Sequence, residues 1–93
     1  MGATTWCRNE DWIGAVVADD FVMMNVRTSA YVSLNETAHA IWEALESPRT
    51  QSGIEENLLS LYEVSQEECA ASVSAALATM ETAGLVATAT AAA

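Results

Sequence analysis

An α+β domain, a three-stranded antiparallel sheet followed by three helices, is predicted by three observations. Residues 13–34 fall into short β-branched and Met-rich runs joined by links of two or three residues. From Asn35 onward the apolar period changes to that of a helix. Capping signals then recur at Asn35, Ser52 and Ser65.

The strands are expected at Ile13 to Ala18, Phe21 to Val26 and Ala30 to Leu34. Asp19-Asp20 makes a tight turn between the first two, and Arg27-Thr28-Ser29 a second short connection. Within the last strand, Val32 and Leu34 alternate with Tyr31 and Ser33 in the period of a half-buried strand. Links this short make an antiparallel meander.

Asn35 is a strong N-cap, and Glu36 stands in the first turn, where the helix dipole favours negative charge. Ala38, Ile41, Trp42 and Leu45 recur at i, i+3, i+4 and i+7, one helical face, and the helix ends by Ser47 because Pro48 follows. Ser52 and Glu55 read as a capping box for a second helix, with Ile54, Leu58, Leu61 and Tyr62 on its inner face. Ser65 and Glu68 repeat the box for a third, whose inner face is Cys69, Val73, Ala76, Leu77 and Met80. Gly84 supplies the stop. The division expected is an irregular segment over 1–12, a folded domain over 13–87 and a disordered Ala/Thr tail over 88–93.

The 93 residues suit one small domain, and 52% apolar content suffices for its core. Thirteen acids against three arginines give a formal charge of −10, a field that repels nucleic acid and anionic membrane and attracts cationic partners. A helix entering a DNA groove needs Lys or Arg, and the third helix has neither. Apolar runs such as Ala15 to Ala18 fall far short of a membrane span, and the start shows neither a basic n-region nor an apolar h-region, so a cytoplasmic setting is the expectation.

Chemistry is sparse. His39 lies one turn from Glu43, which predicts a surface hydrogen bond or ion pair. Cys69 falls on the buried face, and Cys7 and Cys69 match no metal spacing. No nucleophile, acid–base pair or metal set converges, so a non-catalytic protein without cofactor or metal is expected. An acyl carrier needs an exposed Ser, usually in an Asp-Ser-Leu step; the Ser-Leu pairs here fall inside a strand (Ser33) and late in a helix (Ser60).

The hairpin FVMMNVRTSAYVSLN, the junction SLNETAHAIWEAL, the step LYEVSQEEC and the ending METAGLV together resemble the PqqD-like family of RiPP recognition elements, from about Val17 to Val86. Within that family the chain looks most like the stand-alone leader-binding subunits of lasso-peptide maturation. Glu46-Ser47-Pro48-Arg49 departs from the family's usual Asp-Gly turn, and Ser29 stands where a Gly often opens the last hairpin. The resemblance implies a winged helix-turn-helix-like domain that binds the leader of a ribosomally made precursor. The leader would add antiparallel to the third strand and lie in a cleft against the third helix. The partners implied are that leader and a leader-cleaving cysteine protease subunit, with the macrocyclase as a further candidate. A peptide chaperone for a radical-SAM enzyme, or a self-associating module, is the alternative.

The residues are compatible with this. Ala30, Tyr31, Val32, Ser33 and Leu34 form an uncharged strand without Pro or Gly, an available edge if the meander places it outermost. Strand addition draws affinity from main-chain hydrogen bonds, so Val32→Pro is expected to abolish binding by removing a main-chain donor or distorting the edge. On the third helix, Glu68, Ser72, Ala75 and Thr79, with Ala76 beside them, are the candidate cleft wall. Ala70, Ser74 and Glu81 form the opposite flank, and helical phase alone does not choose between them.

Overall fold

The computed structural model describes residues 4–90, with side chains through residue 88. Five strands and three helices follow in the order β1 (Thr4–Arg8), β2 (Trp12–Val17), β3 (Asp20–Asn25), β4 (Tyr31–Leu34), α1 (Glu36–Ala44), α2 (Gln51–Leu61), α3 (Gln66–Thr82) and β5 (Val86–Thr90). β2, β3 and β4 form the expected antiparallel meander in that order, so β4 is an edge strand.

The β2–β3 turn is centred one residue earlier than expected. Val17 pairs with Asp20, which leaves Ala18 and Asp19 as a two-residue loop, and Ala18 has φ +56°. A positive first φ is the twist that two-residue hairpins require. The β3–β4 loop is organised by a side chain that the sequence reading passed over. Asn25, 8% exposed, accepts at Oδ1 from the backbone N–H groups of Arg27 (2.9 Å) and Thr28 (3.0 Å). Ser29, where the family often has Gly, adopts φ +64°.

Residues 4–8, expected to be irregular, form β1, and β5, its antiparallel partner, runs from Val86 into the expected tail as far as Thr90. Polar Thr4, Thr5 and Arg8 hide the strand period, and the Ala/Thr run offers no side-chain pattern at all. Backbone pairing needs neither, and β-branched Thr suits a pleated surface. Residues 1–3 and 91–93 lie outside the described residues. On its other side β1 exchanges backbone bonds with the α1–α2 loop, Trp6 N–H to Arg49 C=O (2.7 Å) and Arg49 N–H to Trp6 C=O (3.1 Å). Strand β1 thereby also delivers Arg8, whose guanidinium donates to Trp42 C=O and lies 4.5 Å from the Trp42 ring centroid. Arg49 donates to Ala44 C=O. α1 has no basic residue in its last turn, so these two cations from other elements meet its negative end.

Helix ends follow local chemistry. Asn35 caps α1 by accepting from Ala38 N–H at 2.8 Å, and Ser65 caps α3 by accepting from Glu68 N–H at 3.1 Å. The second cap is corrected: Thr50, not Ser52, accepts from Gly53 N–H (3.2 Å), so α2 begins earlier and Ser52 lies inside it. Thr and Ser cap alike, and the isolated bridge at Arg49 fixes the start. Leu61 is also corrected, being 62% exposed, while Leu59 packs partly against the core. α3 closes in a Schellman turn: Gly84 N–H donates to Glu81 C=O and Leu85 N–H to Met80 C=O, with Gly84 at φ +81°.

The core joins Met23 of the sheet to Ile41 and Leu45 of α1, Ile54 of α2, Val73, Leu77 and Met80 of α3, and Leu85, each no more than 2% exposed. Trp12 seals one end, its indole N–H donating to Gly84 C=O at 3.1 Å. This core packs α3 beside the sheet, and among the described residues no strand pairs with the outer edge of β4.

Candidate functional site

Alternation along β4 sends Val32 and Leu34 inward, half-buried, and leaves Tyr31 and Ser33 exposed on the other face. The main chain alternates too. Asn25 N–H donates to Ala30 C=O at 2.8 Å, which makes Asn25–Ala30 a hydrogen-bonded pair. The register then makes Met23–Val32 and Phe21–Leu34 hydrogen-bonded pairs as well. Val32 therefore spends its N–H and C=O on β3. Tyr31 and Ser33 direct theirs to the open edge. Val32→Pro would therefore act by breaking the sheet's own ladder and distorting the edge, and Ser33 is the position where a proline removes an edge donor.

Between β4 and α3 runs a cleft of about 530 Å³. Val32, Ser33 and Leu34 form one wall, and Ser72, Ala75, Ala76 and Thr79 the other. Ala38, Met80 and Leu85 are the buried residues along it, with Asn35 and Thr37 at the α1 end and Ala83 at the close of α3. Seven of the ten candidate residues thus border a single space. The chosen flank of α3 faces it, and Ala70, Ser74 and Glu81 do not line it. Thr79 is self-satisfied, its hydroxyl donating to Ala75 C=O at 3.2 Å.

Three candidates lie off the cleft lining. Ala30 belongs to the loop end of the strand, Tyr31 projects from the outer face at 70% exposure, and Glu68 is exposed one helical turn before Ser72. The alternation expected along β4 holds, with Val32 and Leu34 half-buried and Tyr31 and Ser33 exposed.

No lining residue of the cleft is charged. The three arginines are engaged elsewhere, Arg8 and Arg49 on α1 and Arg27 in an exposed pair with Asp11 at 3.4 Å. Glu36, Glu67 and Glu68 occupy the first turns of α1 and α3, at one end of the cleft. His39 meets Glu43 at 3.2 Å as expected, and its ring also stacks on Phe21 with centroids 3.8 Å apart. Burial, then the Glu55 charge, pushes the Cys69 thiol above its ordinary range, so it stays protonated. Among the described residues, no group of three or more His, Cys, Asp or Glu is placed to hold a metal ion, and no helix is long and apolar enough to cross a membrane.

The sheet's outer face is apolar as well. The register sets Ile13, Met24 and Tyr31 in one row across β2, β3 and β4, with Ala15, Val22 and Ser33 in the next. Ile13 and Val17 are 53% and 58% exposed.

The site is thus a meander with an open edge strand beside a helix-walled groove, the geometry that strand addition requires. The chain belongs to the PqqD family: the family model described as coenzyme PQQ synthesis protein D matches residues 20–86. Among solved structures, it is similar to TbiB1 in complex with the TbiA(beta) leader peptide, with a TM-score of 0.74 and 19% identity over 86% of this chain and 93% of that one. It is also similar to a lasso peptide synthetase B1 complexed with the leader peptide, with a TM-score of 0.71 and 21% identity over 88% of this chain and 96% of that one. At these identities the likeness shows a shared fold. A search of the curated proteins finds no significant match.

Proposed function

We propose that this protein recognises the leader of a ribosomally synthesised precursor peptide, of the lasso class, and presents it to a maturation enzyme without catalysing a step itself. The carrying observation is the coincidence of the open β4 edge, at Tyr31 and Ser33, with an uncharged cleft whose far wall is built from small residues of α3. Main-chain pairing along the edge supplies affinity, and side chains alternating into the cleft supply specificity. Small residues at 72, 75, 76 and 79 leave room for larger ones on the peptide. The complexes formed by the two structural neighbours support the reading, because each holds a leader peptide.

Presentation requires a second surface. The apolar row Ile13–Met24–Tyr31 lies on the outer face of the same sheet, and Tyr31 contributes its main chain to the edge and its side chain to this face. We assign that face to the leader-cleaving protease subunit, which would then meet the peptide where it leaves the edge. Exposed apolar side chains gathered on one face suit contact with a protein partner. Ile13→Asp with Val17→Asp, both on β2 and away from the β4 edge, should abolish co-purification with the protease and leave peptide affinity unchanged.

The test of recognition is fluorescence anisotropy of a labelled leader from the precursor encoded beside this chain. Saturable binding at micromolar concentration or better, lost when the leader is scrambled and kept when the core is changed, is the expected result. Equal binding of scrambled leader would refute it.

A further inference from the structure

The three-stranded sheet has a second open edge, at β2. Among the described residues β2 pairs with β3 alone, and the register turns the main chain of Gly14 and Val16 away from β3. Edge strands are usually blunted by a charge, a Pro, a bulge or shortness. β2 shows no such device: Trp12 to Val17 are uncharged and Pro-free, pair with β3 without interruption, and are exposed at every position after Trp12. We propose that the β2 edge is a second strand-addition site, taking an extended segment of a partner protein in which β-branched or aromatic residues are flanked on both sides by Lys or Arg. The site stands apart from leader recognition, because β3 lies between β2 and β4 and both edges can be extended at once.

Charge sets the occupant. The uncharged run is bracketed by Glu10 and Asp11 at one end and by Asp19 and Asp20 at the other. Arg27 meets Asp11 at 3.4 Å, whereas Glu10, Asp19 and Asp20 have no basic partner among the described residues. In antiparallel pairing of β2 with β2 of a second copy, the acidic start of one strand would face the acidic end of the other, and like charges set opposite destabilise. A formal charge of −10 adds to that repulsion. A segment with basic flanks meets a carboxylate at both ends, whichever way it runs.

The inner side of the edge supplies the apolar contact. Gly14 has no Cβ, and the Phe21 ring lies in the space that one would take. Val16, across from Phe21 on the same side, is 68% exposed. The Phe21 ring is backed by the His39 ring at 3.8 Å, and His39 holds Glu43 at 3.2 Å. Inward side chains of an added strand would cover Val16 and Phe21, which favours apolar residues at the centre of the segment.

The experiment is an mRNA-display selection of random peptides on the immobilised Ser33→Pro chain, whose β4 edge is closed, followed by anisotropy on single selected peptides. These should alternate β-branched or aromatic residues, carry Lys or Arg on both flanks, and bind the parent and Ser33→Pro proteins equally. Val16→Pro, once circular dichroism has established that it folds, should raise their Kd about thirtyfold. Asp19→Asn with Asp20→Asn, which leaves the main chain intact, should raise it about fivefold at low salt and spare a peptide whose basic residues are replaced by Gln. Selected peptides that bind without regard to Val16, or without basic flanks, would overturn the proposal. So would a dimer in sedimentation velocity that Val16→Pro dissociates, since the occupant would then be a second copy. Each of these failures leaves leader recognition at β4 standing, because the selection is made with that edge closed.

Discussion

Proline at position 33 separates edge pairing from every other use of β4. Ser33 directs its N–H away from β3, so Ser33→Pro leaves the β3–β4 ladder intact. Proline is tolerated on edge strands in that orientation, and the preceding Val32 is already extended. In a complex, the substitution deletes one main-chain bond, worth about 0.5–1.5 kcal/mol net. The ring also fills the place of the hydrogen and pushes the added strand outward, weakening the adjacent bonds from Tyr31. A combined loss of about 2–3 kcal/mol corresponds to a Kd raised roughly 30- to 150-fold. The matched control is Val16→Pro. On β2 the register directs the main chain of Val16 to the opposite free edge of the same sheet, so this variant should bind normally. Anisotropy with the labelled leader, after circular dichroism has established that both variants fold, gives the comparison. Wild-type affinity in Ser33→Pro, or equal losses in the two variants, would refute edge pairing at β4.

Three further outcomes follow from local geometry. Ser29→Gly should raise the urea midpoint, by about 0.5 kcal/mol of stability, because glycine accepts φ +64° without the Cβ penalty that serine carries. Gly14→Ala should lower stability by about 1–3 kcal/mol in the same assay: an added Cβ would meet the Phe21 ring and lie 2.8 Å from Met23 Sδ. Burial, and after it the Glu36 carboxylate, raises the Tyr62 hydroxyl above its ordinary 10.0. The native state thus favours protonated Tyr62, a contribution fully present below pH 10 and lost as pH rises through the raised value. Urea midpoints measured at neutral pH and above pH 10 should fall further for the parent than for Tyr62→Phe.

Most of the sheet and helix order was legible because each element carries its own local signal. Asn35 and Ser65 cap the helices they were expected to cap, and Cys69, Val73, Leu77 and Met80 are the buried face of α3. The cleft wall at Ser72, Ala75, Ala76 and Thr79 could be named as a flank, but only the packing of α3 beside β4 selects it over the flank at Ala70 and Ser74. β1 and β5 escaped because their paired residues lie about eighty positions apart and their pairing is a main-chain matter. The roles of Arg8 and Arg49 escaped for the same reason, since a helix C-terminus can be met by a cation from any strand or loop that passes it. The division of the β4 main chain into edge-facing and sheet-facing residues has no sequence signature, because it is a matter of register.

Amide hydrogen exchange with and without the leader peptide, read residue by residue by NMR, tests the central claim most directly. Strand addition to β4 predicts strong new protection at the amides of Tyr31 and Ser33, with Val32 already protected in the free protein and Trp12, Gly14 and Val16 on the opposite edge unchanged. Saturated binding that leaves Tyr31 and Ser33 exchanging freely would contradict it.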